Sequence, residues 1–345
     1  MLTIGYIGNG KSTNRYHAPF VLQRPDKIKI KTIWARNLLP IKWDRIEGVH
    51  YTDNIDELLN DPEIDLVVVC TSSEHFKYAM MVLEHNKHVL VEKPFTDTYE
   101  EAKMIFDTAK EKGLIAQAYQ NRRFDSDFLT VQKVIESGKL GDLLELEMHF
   151  DYYRPEIPES IQSAPFYHSY LYGHGCHTID QVVSYFGFPD DIHYDVRALL
   201  GPGRYNDYFD LDFYYGALKV SIKSSYFRVK SRPSFIIYGK KGVFEKYYKD
   251  RQEEHLKMFY MPTNKDFGID FPEHYGVLTY IDENGIYHEE KVPSIKGDYG
   301  RIYDGMYDTI KYGKEKVVKD EETLFQMKVL QRGTNCLKKG EDNND

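Results

Sequence analysis

Short apolar runs alternate with stretches of helical period through the first third of the chain. Thr3-Ile4-Gly5-Tyr6-Ile7 predicts a strand leading straight into a glycine-bearing turn, and residues 28–34 alternate apolar and polar side chains as a second strand. Leu66-Val67-Val68-Val69-Cys70 is apolar throughout, the pattern of a strand covered on both faces. Further strands are expected at 88–92 and 114–119. Helical patterns lie at 53–59, closed by Asn60-Asp61-Pro62, at 74–85, and at 97–112, capped by Thr96 or Asp97 and stopped by Gly113. Strands separated by helices of this length wind into parallel βαβ units, so residues 1–120 are expected to form a doubly wound parallel α/β domain.

Past residue 120 the rhythm changes. A helix at 127–137 precedes Gly138-Lys139-Leu140-Gly141 and a strand at 143–153; a loop rich in Pro and Ser follows at 154–165, then a helix at 176–186. Strand patterns then succeed one another at 193–200, 208–215, 218–226, 234–238, 243–247 and 277–281, with Asn284-Gly285 turning a hairpin into Ile286-Tyr287. Helices at 301–311 and 320–337 close the pattern. This predicts an α+β domain over 121–337 built on a mostly antiparallel sheet, with a polar tail at 338–345.

The charge balance narrows the function classes. Asp and Glu outnumber Lys and Arg by 54 to 45, a formal charge of −9, and no basic block stands out. That gives no electrostatic reason for binding nucleic acid or an anionic membrane. No apolar run approaches a membrane span, and Met1-Leu2-Thr3-Ile4-Gly5 lacks the basic start and apolar core of a signal peptide. Cys70, Cys176 and Cys336 are too scattered for a disulfide scaffold or a multi-cysteine zinc module. The expectation is a soluble, cytoplasmic protein with a small-molecule substrate.

The first turn carries the first candidate chemistry. Gly8-Asn9-Gly10-Lys11-Ser12-Thr13 follows the first strand directly. There Gly8 would permit the tight turn, Gly10 would let a pyrophosphate approach the backbone, and the following helix N-terminus would favour its charge. Thr13 stands where the fingerprint has its third glycine, and the hydroxyls of Ser12 and Thr13 could donate to phosphate, with Lys11 adding positive potential. The second strand ends Trp34-Ala35-Arg36-Asn37. An NAD site places a carboxylate near this point for the ribose hydroxyls, whereas a guanidinium suits a 2′-phosphate. Arg36 is therefore read as favouring NADP(H) over NAD(H), against the alternative of a solvated charge at a strand end.

The chain closely resembles the Gfo/Idh/MocA family, named after glucose–fructose oxidoreductase and inositol dehydrogenase. The resemblance rests on Cys70-Thr71-Ser72-Ser73-Glu74-His75 and on Lys87-His88-Val89-Leu90-Val91-Glu92-Lys93-Pro94, continuing through Tyr119-Gln120-Asn121-Arg122-Arg123-Phe124, Ser137 to Gly141, and His177-Thr178-Ile179-Asp180. It implies an N-terminal Rossmann domain, a C-terminal domain with a large open sheet, a homodimer or homotetramer assembled through that sheet, and hydride transfer between NAD(P) and sugars, inositols or related polyols. Thr71, His75, Glu92, Lys93, Gln120 and Asn121 then join Gly8, Gly10, Lys11, Ser12, Thr13 and Arg36 as candidate cofactor contacts. Lys93, at the carboxyl edge of the sheet, could stabilise a developing alkoxide or relay its proton; in isolation it would read as a surface lysine. His177 corresponds to the family's acid–base histidine, its alternative being a packing residue at a helix start.

Lys93, Tyr153, His174, His177 and Asp180 are the candidate substrate contacts, with Asp180 placed to orient His177. Tyr152-Tyr153-Arg154 could cover a polar substrate with flat faces and hydroxyls. The spacing of His174, His177 and Asp180 could also face a metal, yet no further ligand is identifiable and no metal is expected. Cys176 reads as a packing cysteine. One departure matters: relatives carry a catalytic Asp four residues before this histidine, where the chain has Gly173. The leading expectation is an NADP(H)-preferring oxidoreductase of small polyhydroxylated substrates. The rivals are a catalytically silent nucleotide-binding sensor and an NAD-dependent glycosidase of the same fold.

Overall fold

The computed structural model describes residues 1–157, 169–201 and 203–341. The part of the expected 154–165 loop beyond residue 157, and residues 342–345 of the expected tail, lie outside the described residues. The chain forms two compact units. One comprises Met1–Asn121, Glu253–Phe267 and Tyr299–Met327; the other comprises Arg122–Gln252, Gly268–Asp298 and Lys328–Asp345.

In the first unit six strands pair in parallel: β1 Leu2–Ile7, β2 Ile28–Trp34, β3 His50–Thr52, β4 Leu66–Val69, β5 His88–Val91 and β6 Ala116–Ala118. Their order is β3-β2-β1-β4-β5-β6, the doubly wound order of a dinucleotide-binding sheet. β4, apolar in every position, is wholly buried at the centre beside β1. The winding reverses between β1 and β4, and the turn after β1 opens at their carboxyl ends, where open α/β sheets bind ligands. Gly8 is obligatory there: its φ is +117°, and a Cβ would sit 3.0 Å from the Cys70 carbonyl oxygen.

The helices follow their local chemistry. Asn54 caps Ile55–Leu59 by accepting from the Asp56 N–H at 3.1 Å. Tyr99–Glu111 is capped by Thr98, not by Thr96 or Asp97, because Thr98 and Glu101 form a reciprocal capping box. Gly113 takes the left-handed conformation just past this helix. The unit also claims two segments from far along the chain. Leu256, Phe267 and Tyr299 pack with Phe20 into one buried cluster, which accounts for their membership.

The second unit is built on eight strands: β7 Leu143–His149, β8 Asp191–Arg197, β9 Tyr208–Tyr215, β10 Leu218–Ser225, β11 Phe235–Gly239, β12 Gly242–Lys246, β13 Gly276–Ile281 and β14 Tyr287–Val292. Their order is β14-β13-β12-β11-β7-β10-β9-β8, antiparallel everywhere except the β7–β10 pair. Asn284-Gly285 turns the β13–β14 hairpin as expected, with Gly285 at φ +78°. The helices Ser126–Glu136 and Cys176–Phe186 cover one face, where Phe128 stacks on Phe235 with ring centroids 6.2 Å apart. Across β7, β10 and β9 the other face carries a ladder of ion pairs: Lys219–Glu145 at 2.8 Å, Lys223–Glu147 at 2.9 Å and Lys223–Asp210 at 4.0 Å. No helix among the described residues is long and apolar enough to cross a membrane.

Candidate active site

The turn after β1 runs directly into a wide helical stretch with i→i+5 hydrogen bonding over Ser12–His17, continued as α-helix over Ala18–Val21. Such widened turns cluster at functional sites. The Asn14 side chain braces the turn, donating to Asn9 Oδ1 at 2.8 Å and to the Gly10 carbonyl at 2.9 Å. A Cβ on Gly10 would meet no atom of the described residues within 4 Å, which leaves the backbone there open to a ligand. Ser12 and Thr13 were expected to offer hydroxyls to phosphate. In the structure Ser12 donates to Glu92 and Thr13 to the Gly8 carbonyl, the latter at 2.6 Å. Lys11, exposed, begins the helical run.

Glu92 at the end of β5 is the hub of this site. Its carboxylate accepts from Ser12, from His17 Nε2 at 2.9 Å and from the Lys93 N–H at 2.9 Å. Burial alone would push its pKa up. Hydrogen bonding and charge from His17, with the Lys93 charge and Ser12 adding to them, instead hold it at about 2. Behind it His17, fully buried, meets the Tyr303 hydroxyl through Nδ1 at 2.6 Å, and Tyr303 meets Tyr6 at 3.2 Å. The His17 ring thus bridges the Glu92 carboxylate and the Tyr303 hydroxyl, one nitrogen facing each. Glu92 was expected to touch the cofactor; the structure makes it the anchor of the turn before Lys93. The Lys93–Pro94 peptide is cis. His75 ties this turn to the loop after β4, its ring nitrogens lying 2.7 Å from the Pro94 carbonyl and 2.8 Å from that of Thr71.

Two buried polar atoms at the same edge lack partners among the described residues: the Thr71 hydroxyl and Gln120 Oε1. Gln120 donates its amide to Gln326 at 3.0 Å, and Asn121, buried, opens a short 3₁₀ turn. Unsatisfied buried groups beside an open glycine turn fit a polar ligand laid along the carboxyl ends of β1, β4 and β6. Arg36 lies just past β2, with its side chain 60% exposed. Its guanidinium pairs with Glu74 and donates to the Tyr78 hydroxyl at 3.1 Å. Tyr78 in turn packs on Trp34.

In the second unit a second wide helical turn, Leu171–Gly175, leads into Cys176–Phe186. It presents His174 at its end and His177 one turn on, buried at 5% exposure. Among the described residues, no atom lies within 4 Å of a Cβ built on Gly173. Asp180 was expected to orient His177. Both of its oxygens accept from Arg123, at 2.7 Å and 2.6 Å, in a buried bidentate pair. No group of three His, Cys, Asp or Glu able to hold a metal exists among the described residues. His174 stands in a basin of aromatic rings, with Tyr170, Tyr152 and Phe150 centroids 4.8, 5.1 and 5.6 Å away. Tyr153, by contrast, is 59% exposed and bridges Phe227 through its backbone.

Residues 2–120 match the family model described as an oxidoreductase family with an NAD-binding Rossmann fold, and residues 128–245 match the GFO/IDH/MocA C-terminal domain. The chain belongs to the Gfo/Idh/MocA oxidoreductase family. It is 46% identical over 335 residues to the uncharacterized oxidoreductase YhhX of Escherichia coli, covering 96% of both chains. To the scyllo-inositol 2-dehydrogenase (NADP(+)) IolW of Bacillus subtilis it is 33% identical, over 96% of this chain and 92% of that one. The crystal structure of the probable oxidoreductase yhhX superposes with a TM-score of 0.92 at 45% identity, covering 97% of each chain. An oxidoreductase from Bacillus cereus gives 0.89 at 43% identity, over 96% and 95%. As a Gfo/Idh/MocA member the chain is an NAD(P)-binding oxidoreductase, and the parallel first sheet and mostly antiparallel second sheet are those the resemblance implied.

Sequence reasoning did not find His17, Tyr303 or Tyr6. No periodicity marks them, since His17 bonds to Glu92, 75 residues on, and to Tyr303, 286 residues on, and Tyr303 in turn to Tyr6. The aromatic basin was glimpsed only through Tyr152 and Arg154.

Proposed function

We propose that the enzyme prefers NADP(H) and oxidises or reduces a small polyhydroxylated substrate of the sugar or cyclitol class. Arg36 carries the cofactor preference: a guanidinium occupies the strand end where an NAD site places a carboxylate, and a 2′-phosphate would compete with Glu74 for it. The NADP(+)-dependent inositol dehydrogenase among the relatives supports both parts of the reading. Gly8 and Gly10 would admit the pyrophosphate, with Lys11, Thr71, Gln120 and Asn121 completing the nucleotide contacts. Bound nicotinamide supplies the hydride acceptor or donor.

The protein's own residues would handle the proton. In oxidation the Lys93 ammonium stabilises the oxygen as its proton leaves, and His177 takes that proton; in reduction each role reverses. Glu92 fixes the Lys93 backbone and adds negative charge beside the amine. The test is a panel of polyols and aldoses followed through nicotinamide absorbance. Lys93→Ala should lower kcat by two orders of magnitude or more and leave NADPH affinity within about threefold; a fully active variant removes Lys93 from catalysis.

Gly173 favours a second reading, a nucleotide-binding sensor without turnover, because a carboxylate of the family's proton relay is missing. Nucleotide binding without turnover across the panel would decide for it. The open face of the second unit's sheet is the proposed surface for self-association into a dimer or tetramer, and the cytoplasm is the proposed compartment. Light scattering of the purified protein reads the first directly.

A further inference from the structure

Three residues from separate parts of the first unit meet just past the glycine turn. Arg15 belongs to the widened stretch Ser12–His17, and its guanidinium carbon lies 4.4 Å from the Phe259 ring centroid and 5.7 Å from that of Trp43. The two rings are themselves 6.0 Å apart. Phe259 is 53% exposed and follows the helix Gln252–Lys257 with a φ of +59°. That left-handed conformation suits glycine and is rare for a bulky side chain, so the turn alone does not account for phenylalanine there. What the residue supplies is a ring over a cation. Phe259 also lies outside both matched family regions, 2–120 and 128–245.

Among the described residues no group accepts a hydrogen bond from Arg15 or forms an ion pair with it, and its Nε is buried without a partner. The ring contacts engage its flat faces and leave the N–H edge, which carboxylate and phosphate oxygens match in geometry. A buried N–H without an acceptor is costly, and a bound anion would satisfy it. Lys11, exposed, precedes Arg15 by about one helical turn, and residues 11–17 hold no carboxylate to offset the two like charges. The side chains between them are already engaged around the turn: Ser12 with Glu92, Thr13 with the Gly8 carbonyl, and Asn14 with Asn9 and Gly10. Arg36, by comparison, has Glu74 as its counter-charge.

We propose that Arg15, held by the rings of Phe259 and Trp43, binds the pyrophosphate of the dinucleotide. The first unit then divides the cofactor's charge between two guanidiniums. Arg15 takes the group common to NAD(H) and NADP(H), and Arg36 takes the 2′-phosphate peculiar to NADP(H). The proposal rests on the reading above that the Gly8–Gly10 turn admits a dinucleotide. Arg15 stands on the stretch that this turn leads into, whereas Arg36 lies past the end of β2. Phe259 and Trp43 are positioning residues: they act through the guanidinium, fixing its plane and reducing the freedom it loses when an anion binds. A segment far along the chain thereby takes part in holding the nucleotide.

The experiment is a calorimetric titration of the full-length protein with NADP⁺ and with NAD⁺, each at low and at high salt. Arg15→Met keeps an apolar stem against Phe259 and removes the charge. It should weaken both nucleotides by a common factor of about ten or more, leave their ratio within about twofold, and flatten the salt dependence of each. Arg15→Gln repeats the comparison, and thermal unfolding matching the parent shows that both variants fold. Phe259→Leu should weaken both nucleotides about threefold in the parent and leave Arg15→Met unchanged, a coupling that a merely structural ring would not show. Unchanged affinities in the Arg15 variants, a loss confined to NADP⁺, or equal effects of Phe259→Leu in both backgrounds overturns the proposal while the dinucleotide reading stands. If the parent protein binds neither nucleotide, that reading fails and the proposal falls with it.

Discussion

Replacing Glu92 by Gln removes the one charge on which Ser12, His17 and the Lys93 backbone converge. In the unfolded chain the carboxyl has its ordinary pKa of 4.5; in the fold it is held at about 2. At about 1.4 kcal/mol per pH unit, that difference contributes on the order of 3 kcal/mol at neutral pH. A glutamine keeps one carbonyl oxygen and turns an NH₂ toward the remaining donors, so nothing restores the loss. The contribution is complete above pH 4.5 and drains away as pH falls toward 2; near pH 3 roughly half or less remains. The two tryptophans, Trp34 and Trp43, both belong to the first unit, so their fluorescence in a denaturant titration reports its unfolding. The Glu92→Gln variant should be about 3 kcal/mol less stable than the parent at pH 7, with the gap at least halved at pH 3. An equal gap at both pH values, or a loss below about 0.5 kcal/mol at pH 7, would refute the electrostatic account of this hub.

Other outcomes concern the second unit. Arg123→Met leaves Asp180 charged and buried without its bidentate partner, a change worth about 3–5 kcal/mol in urea unfolding followed by circular dichroism; the double variant with Asp180→Leu should recover much of that. Asp250 behaves oppositely to Glu92: burial and the neighbouring charge of Asp127 push its carboxyl up to about 7 from 3.8. Its fold therefore binds the proton more tightly than the unfolded chain does, and stability falls as pH rises from about 4 to 7. Asp250→Asn should flatten that slope, as thermal unfolding across the pH range would show; an unchanged slope would contradict it.

The first sheet was legible because its strands differ so sharply from its helices. Leu66 to Val69 could only be a central strand, and the Gly8 turn after β1 fixed the edge at which ligands bind. β3 escaped notice because three residues, His50-Tyr51-Thr52, carry no period. The wide turns at Ser12–His17 and Leu171–Gly175 left no signal, since neither six nor five residues of mostly polar and glycine character carry an apolar period. Where partners are far apart in sequence the reading also fell short. Ser12 and His17 both bond to Glu92, 80 and 75 residues on, and Asp180 pairs with Arg123, 57 residues earlier. Nor does local pattern show that Leu256 and Tyr299 return to pack on Phe20. Hydrophobic period reports which face of an element is buried, not which distant element covers it.

Arg36 is the proposed selector of a phosphorylated dinucleotide. Calorimetric titration of the purified protein with NADPH and with NADH should show the former binding at least tenfold more tightly, and Arg36→Ala should abolish that margin while sparing NADH affinity. Equal affinities, tighter binding of NADH, or a margin untouched by Arg36→Ala would contradict it.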